Sequence, residues 1–201
     1  MNPTIKKTIA LTVSFAIAAL AVYGSYLPMR KSKAFIEALN ALPNADSVSK
    51  LEEIFSVPLD LPSPIGQEEI IRNIANTVMM YVDENPAVAD DIIRYIRSYF
   101  DSIIARGKGM SFTQDVFLLG TIHEVALQRT QDAKYFPQMK EYYLEGNRLS
   151  PRRPQFLYRL FSTYQLEGNI AEAKKIGIQV LNQWPDDSAM RDALESLEKK
   201  K

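Results

Sequence analysis

"YRLFSTYQLEGNIAEAKKIGIQVLNQWP", Tyr158 to Pro185, decides the fold class. Apolar residues recur at helical spacing on both sides of Glu167-Gly168-Asn169. That cluster is suited to ending one helix and starting the next. Helices this short are marginal alone in water, so the pair has to bury its apolar stripes against neighbours. The stretch therefore predicts a helical hairpin that depends on packing.

Upstream the same period continues. "AVADDIIRYIRSYFDSIIARGKG" carries the stripe Ile92, Ile93, Ile96, Phe100, Ile103 and Ile104, with Pro86 at its start and Gly107 and Gly109 at its end. "EEIIRNIANTVMMYVDEN", Glu68 to Asn85, puts Ile70, Ile71, Ile74, Val78 and Tyr81 on one face. Before it, "SVPLDLPSPIGQ" holds Pro58, Pro62 and Pro64 and cannot be helical throughout. Asp46 or Ser47 is placed to cap "VSKLEEIF", and "KSKAFIEALNAL" prolongs the first helix until Pro43-Asn44 breaks it. No alternating valine-rich run marks a strand. The chain is expected to be all-α, with an anchor and its flanks over 1–33, a helical region with a proline-rich connection over 34–109, and helical-hairpin repeats with a capping helix over 110–201.

The N-terminal segment has its own signature. Between Lys7 and Arg30 runs "TIALTVSFAIAALAVYGSYLPM", Thr8 to Met29, without a charge. About 20 apolar residues cross a bilayer core, so a single-pass membrane helix is expected. Tyr23, Tyr26 and the cations Arg30, Lys31 and Lys33 fit interface anchors. The rival is a signal peptide cut after Ala21, but the apolar stretch continues past that site. Lys6, Lys7 and the terminal amine nearly balance the three cations beyond the span. A short positive leader favours the cytoplasm, which places the remainder on the extracytoplasmic side.

Composition excludes several function classes. With 24 basic and 24 acidic residues in 201, the formal charge is zero, unlike the strong basic excess of nucleic-acid binders. There is no cysteine, hence no disulfide, thiolate metal site or cysteine nucleophile. A single histidine, His123, rules out a histidine-cluster metal site. The eight glycines form no phosphate-cradling pattern. No cofactor is expected.

The remaining candidates for chemistry read as structure. A general base needs positioned partners, and His123 has none in the sequence, so it is expected to be a packed ring. Glu52-Glu53, Glu68-Glu69 and Asp90-Asp91 are adjacent pairs, which diverge around a helix and suit solvated faces or first turns. "RYIRSYF", Arg94 to Phe100, interleaves cations and aromatics as single-strand binders do, yet it also fits an amphipathic helix. "SPRRP", Ser150 to Pro154, is a basic turn open to acidic lipid or glycan. No nucleophile, base and orienting group assemble into a catalytic set, so no enzyme is expected.

A repeat frame emerges after Gly109. Helix-pair repeats of about 34 residues carry W-x2-L-G-x2-Y, then A-x3-F, then P. In the unit from Pro154, Leu157, Leu160 and Tyr164 take the large positions of the first helix. Gly168 falls at the turn, Ala173 at the small crossing point and Pro185 at the close. Phe161 stands where a small residue is usual and Gly177 where an aromatic is usual, which suggests an exchange of bulk. In the preceding unit Leu119-Gly120, His123, Tyr143, Gly146 and Pro151 match, Met139 fits poorly, and "QRTQDAKYF" lengthens the inter-helix segment. From about Thr113 to Asp187 the chain resembles the tetratricopeptide-repeat family. "DSAMRDALESLEKKK" follows as a polar capping helix whose terminal lysines complement its dipole.

A single span, then "LLGTIHEVALQRTQDAKYF" and "YYLEGNRLSPRRPQFLYRLFSTYQLEGN", also resembles the repeat tail of bacterial O-antigen ligase or polymerase-like membrane proteins. Their many membrane helices and transferase-site arginines and histidine have no counterpart here. His123 belongs to the repeat frame and is not carried over as catalytic. The resemblance implies an accessory or detached tail in envelope polysaccharide assembly, near glycan-assembly machinery. The repeat resemblance implies a partner face on the first helices of each pair. By position that face holds Gln155, Tyr158, Ser162, Gln165 and Leu166, with Gln114, Phe117, Thr121 and Glu124 from the earlier unit. Tyrosine and polar amides suit an extended peptide or sugar chain. The two expectations are thus a membrane-tethered interaction module with a protein partner, and a glycan-enzyme tail.

Overall fold

A computed structural model describes residues 2–107, 109 and 111–199, and every ordered element among them is helical. The chain starts as one helix of 42 residues, Pro3–Asn44, that is long and apolar enough to cross a membrane. It comprises α1 (Pro3–Ala21), a π-helical turn (Val22–Tyr26), α2 (Leu27–Ala41) and a final 3-10 turn at Leu42–Asn44. Pro28 lacks the N–H that would bond Gly24, and the widened turn ahead of it accommodates the proline without breaking the helix. Within α1 the Thr8 and Thr12 hydroxyls donate to the Thr4 and Thr8 carbonyls, each at 3.0 Å, so both are satisfied inside the helix. The helix ends at Pro43-Asn44, as the sequence indicates.

Ser47 caps α3 (Val48–Asp60) by accepting from the Lys50 amide at 3.3 Å. Here the proline-rich connection proves shorter than expected, because "SVPLD" is the last turn of α3 and Pro58 is buried inside it. Pro58 costs one hydrogen bond in a turn that ends two residues later, and its ring packs in the core. Only Leu61 to Gly66 is irregular, with Leu61 forced extended before Pro62. α4 (Gln67–Glu84) buries Ile70, Ile71, Ile74, Val78 and Val82, while Tyr81 packs half-buried beside them. Pro86 opens a 3-10 turn that leads into α5 (Ala89–Arg106), and Gly107, at φ 62°, ends it.

Four further helices and a last one follow: α6 (Phe112–Thr130), α7 (Phe136–Leu149), α8 (Pro154–Leu166), α9 (Ile170–Gln183) and α10 (Ser188–Lys199). Each packs against the next in chain order, and α4 and α5 both pack on α6. Two apolar clusters result. The first joins α2 to α6 around Phe55, Ile74, Ile92, Ile96 and Phe100. The second joins α7 to α10 around Met139, Tyr143, Phe156, Leu157 and Leu160. Gly168, at φ +76°, makes the α8–α9 turn, and Asn169 caps α9 by accepting from the Glu172 amide. Lys199 closes α10, while the two final lysines of the expected dipole complement lie outside the described residues.

Glycines set how closely the later helices approach. A Cβ on Gly120 would lie 2.5 Å from Tyr143, and one on Gly146 would lie 1.9 Å from Phe156. The repeat frame matches Gly120 at its L-G position and Gly146 at a small position, and contact with a ring accounts for both. Gly177 behaves otherwise than expected. The space its missing side chain leaves is filled by Leu194 of α10, 2.7 Å from a virtual Cβ, and not by Phe161. There is no exchange of bulk within the hairpin.

Candidate interaction face

α6 and α8 are fastened to each other by three rungs. Arg153 donates to the Thr113 hydroxyl at 2.8 Å. One turn on, the rings of Phe117 and Phe156 meet edge-to-face at 5.5 Å. Further along, Arg159 donates to Glu124 at 2.7 Å. The spacing from Phe117 to Glu124 is two helical turns, so both point to the same side of α6.

Glu124 is the centre of the third rung. One carboxylate oxygen accepts from Arg159 and from Gln128 at 3.2 Å, and the other accepts from the buried Tyr143 hydroxyl. A carboxylate this enclosed needs such partners to replace its lost hydration. Burial and the neighbouring Glu124 charge raise the Tyr143 pKa, which keeps the phenol protonated and donating. The Thr121 hydroxyl donates to the Phe117 carbonyl within α6.

These contacts divide the residues assigned to the partner face. Glu124 is buried in the clamp, and Phe117 packs against Tyr143 and Phe156 in the second cluster. Both join the hairpins together, Glu124 buried and Phe117 half-buried. Thr121 and Gln165 are half-buried, whereas Gln114, Gln155, Tyr158, Ser162 and Leu166 are exposed. What remains open is a mostly polar strip with Tyr158 in its middle and Leu166, 66% exposed, at one end. Leu166 and Glu167 there border an apolar cleft of about 420 Å³ with Leu127, Gln128 and Phe136. A second cleft, about 650 Å³, runs beside it along α7, between Phe136, Lys140, Leu144 and Arg148.

Leu127, Phe136, Arg159 and Tyr143 are the members of this region that the sequence did not assign to it. Only the helical stripe hinted at Leu127. Arg159 neighbours the solvent-facing Tyr158, and nothing in the sequence pairs it with Glu124.

His123 is packed, as its place in the repeat frame suggests. Its ring lies 5.5 Å from that of Tyr142, and Nδ1–H donates to the Leu119 carbonyl at 2.7 Å. Burial lowers its pKa, so the neutral ring is favoured. The paired carboxylates are committed to ion pairs or solvent: Glu68 to Arg106, Asp90 to Lys134 and Tyr135, Asp91 to Arg94, and Glu53 to Lys50. Tyr95 and Tyr99 of "RYIRSYF" stack edge-to-face at 5.4 Å on α5, with Tyr95 against the first cluster. In the basic turn, Arg153 is drawn into the first rung and Arg152 is exposed. Among the described residues, no group of three or more acidic or histidine side chains is placed to hold a metal ion.

No family model, curated protein or solved structure matches this chain.

Proposed function

We propose that this chain is a membrane-tethered helical-repeat interaction module without chemistry of its own. Its hairpins stack in a tetratricopeptide-like manner, and it holds an extended segment of a protein partner close to the bilayer. The observation that carries the reading is the three-rung fastening of α6 to α8. It fixes two first helices side by side while Gln155, Tyr158, Ser162 and Leu166 stay exposed along one of them. Fixed, exposed side chains that bear amides, hydroxyls and one aromatic suit main-chain and side-chain contacts with a peptide. Support for a longer array comes from α4 and α5, which form a further hairpin stacked on α6. That addresses the need of solenoids for about three repeats. The cationic leader at Lys6 and Lys7 favours an extracytoplasmic position for the helices after the span.

A photocrosslinking residue placed singly at Tyr158 and Ser162, with Ile178 of α9 as the control, tests this in native membranes. A discrete protein adduct at the first two positions and none at the third is expected. Equal adducts at all three would sink the proposal. The second reading, an accessory tail of an O-antigen ligase-like protein, rests on sequence resemblance. It would be favoured if the adduct proved to be a multi-pass glycan transferase.

A further inference from the structure

Of the three cations closing the apolar span, only Arg30 and Lys33 are exposed to reach headgroups. Lys31 is buried, and its ammonium donates to the Leu61 carbonyl at 2.6 Å and the Leu59 carbonyl at 3.4 Å. Both acceptors lie at the end of α3, whose last carbonyls have no partners within the helix. Gln67 adds a third hydrogen bond there, donating to the Leu59 carbonyl at 3.2 Å. The end of α3 is thus fastened to a residue only two positions beyond Met29, where the uncharged span ends. Two helical residues advance about 3 Å, less than one headgroup layer of about 5 to 7 Å.

What this clamp holds at headgroup level is apolar apart from the exposed Asp60, whose charge acts on the Lys31 ammonium. From Leu61 to Gln67 the loop reads "LPSPIGQ", without a charge. Ile65 is 63% exposed at its tip and Val57, on the last turns of α3, is 57% exposed. Ser63 folds its hydroxyl back to donate to the Ile65 carbonyl at 2.7 Å, which satisfies polar groups inside the loop. A groove of about 470 Å³ separates Val57 and Leu61 from Tyr26, Met29, Arg30 and Lys33 at the end of the span. Lys33 also faces Glu37 at 3.8 Å, a loose and exposed pair that leaves its ammonium accessible.

We infer that the Val57–Ile65 segment is a second membrane contact, inserted into the headgroup layer beside the span. This rests on the reading of the first helix as a membrane span. The occupant of the groove is lipid: phosphate oxygens meet Arg30 and Lys33, and upper acyl chains meet Val57, Leu61 and Ile65. Exposed apolar side chains next to cations are the composition of an interfacial anchor. With the span and the loop both engaged, the helical array has a set orientation on the bilayer and does not swing on a single tether.

The native chain has no cysteine, so one cysteine can be introduced at a time. The full chain carrying Phe15→Cys, Ile65→Cys or Ile178→Cys is labelled with a polarity-sensitive fluorophore. It is reconstituted into vesicles of phosphatidylcholine and phosphatidylglycerol containing a headgroup-level nitroxide lipid. Blue-shifted emission at positions 15 and 65, strong nitroxide quenching at 65, and aqueous emission at 178 are expected. Aqueous emission at 65 with a shielded 15 would overturn the second contact and leave the span intact. Aqueous emission at 15 would overturn the span itself, and the contact with it. Shielding at 65 that ignores the nitroxide and fades on protein dilution would assign the patch to a second copy of the chain, which also overturns the inference.

Discussion

The repeat-like part of the molecule is controlled by a few positions where size cannot change. Gly146 is the tightest, since an added Cβ would meet the Phe156 ring, which is itself fully buried. Gly146→Ala is expected to cost about 1–3 kcal/mol, as overpacking of a filled core does, and to lower the midpoint of thermal unfolding in detergent micelles. Asp115 is a different kind of constraint. Its side chain is buried with one oxygen lacking a partner among the described residues, and Arg72 reaches the other at 3.4 Å. Burial pushes the carboxyl up to about 6, against the opposing pull of Arg72. In the unfolded chain it titrates near the ordinary value of about 3.9. Between these two values the folded state binds more protons, so the contribution of Asp115 to stability is most favourable below about pH 4 and falls as pH rises from 4 to 6. Asp115→Asn removes that loss. The advantage of the variant over the native chain should grow by about 2–3 kcal/mol from pH 4 to pH 7.5, read from denaturant midpoints at both pH values. No growth would mean the carboxyl is better solvated than its surroundings imply.

At the scale of elements, α10 is more than a polar cap. Leu194 fills the notch at Gly177, and Met190 and Leu197 are buried in the second cluster. Ending the chain after Asp187 would expose that notch and the apolar face of α9. The expected outcome is loss of cooperative melting of the α7–α9 region, with increased binding of a hydrophobic dye. Gly177→Phe, which restores the aromatic common at that repeat position, should destabilise the fold by about 1–3 kcal/mol because Leu194 already occupies the space. Should this variant instead melt higher, the α9–α10 packing described here is wrong. The elements themselves were largely legible in the sequence. Ser47, Pro86, Gly107, Gly168 and Asn169 mark helix ends through local backbone chemistry, which a sequence states directly. Pro58 misled because a proline near a helix end is penalised little, and burial of its ring makes up the difference.

For the whole molecule the consequence is a fixed relation between a helix long and apolar enough to cross a membrane and a helical array. Buried contacts begin at Lys31, Ala34 and Ala38, directly after the exposed apolar stretch, so the array follows that stretch with no linker between. The proposed extracytoplasmic placement makes a direct prediction. With Ile178→Cys in intact source cells, a membrane-impermeant maleimide should label the protein without permeabilisation. Labelling only after permeabilisation would reverse the orientation. The proposed interaction face is likewise a property of the whole. Its exposed strip on α8 lies beside Arg153, Phe156 and Arg159, which the rungs to α6 engage.

The sequence by itself determined the all-helical class, the uncharged N-terminal stretch, most helix boundaries and the glycines at the closest approaches. Each of these follows from period, local backbone preference or residue size, all of which act between near neighbours in the chain. Tertiary structure alone decided that Glu124 and Phe117 are fasteners, that Lys31 serves the end of α3 and not the lipid, and that Leu194 answers Gly177. Those contacts join residues 17 to 39 positions apart. Nothing local distinguishes a carboxylate facing water from one facing a tyrosine on another helix. Their assignment had to wait for the packing that brings the helices together.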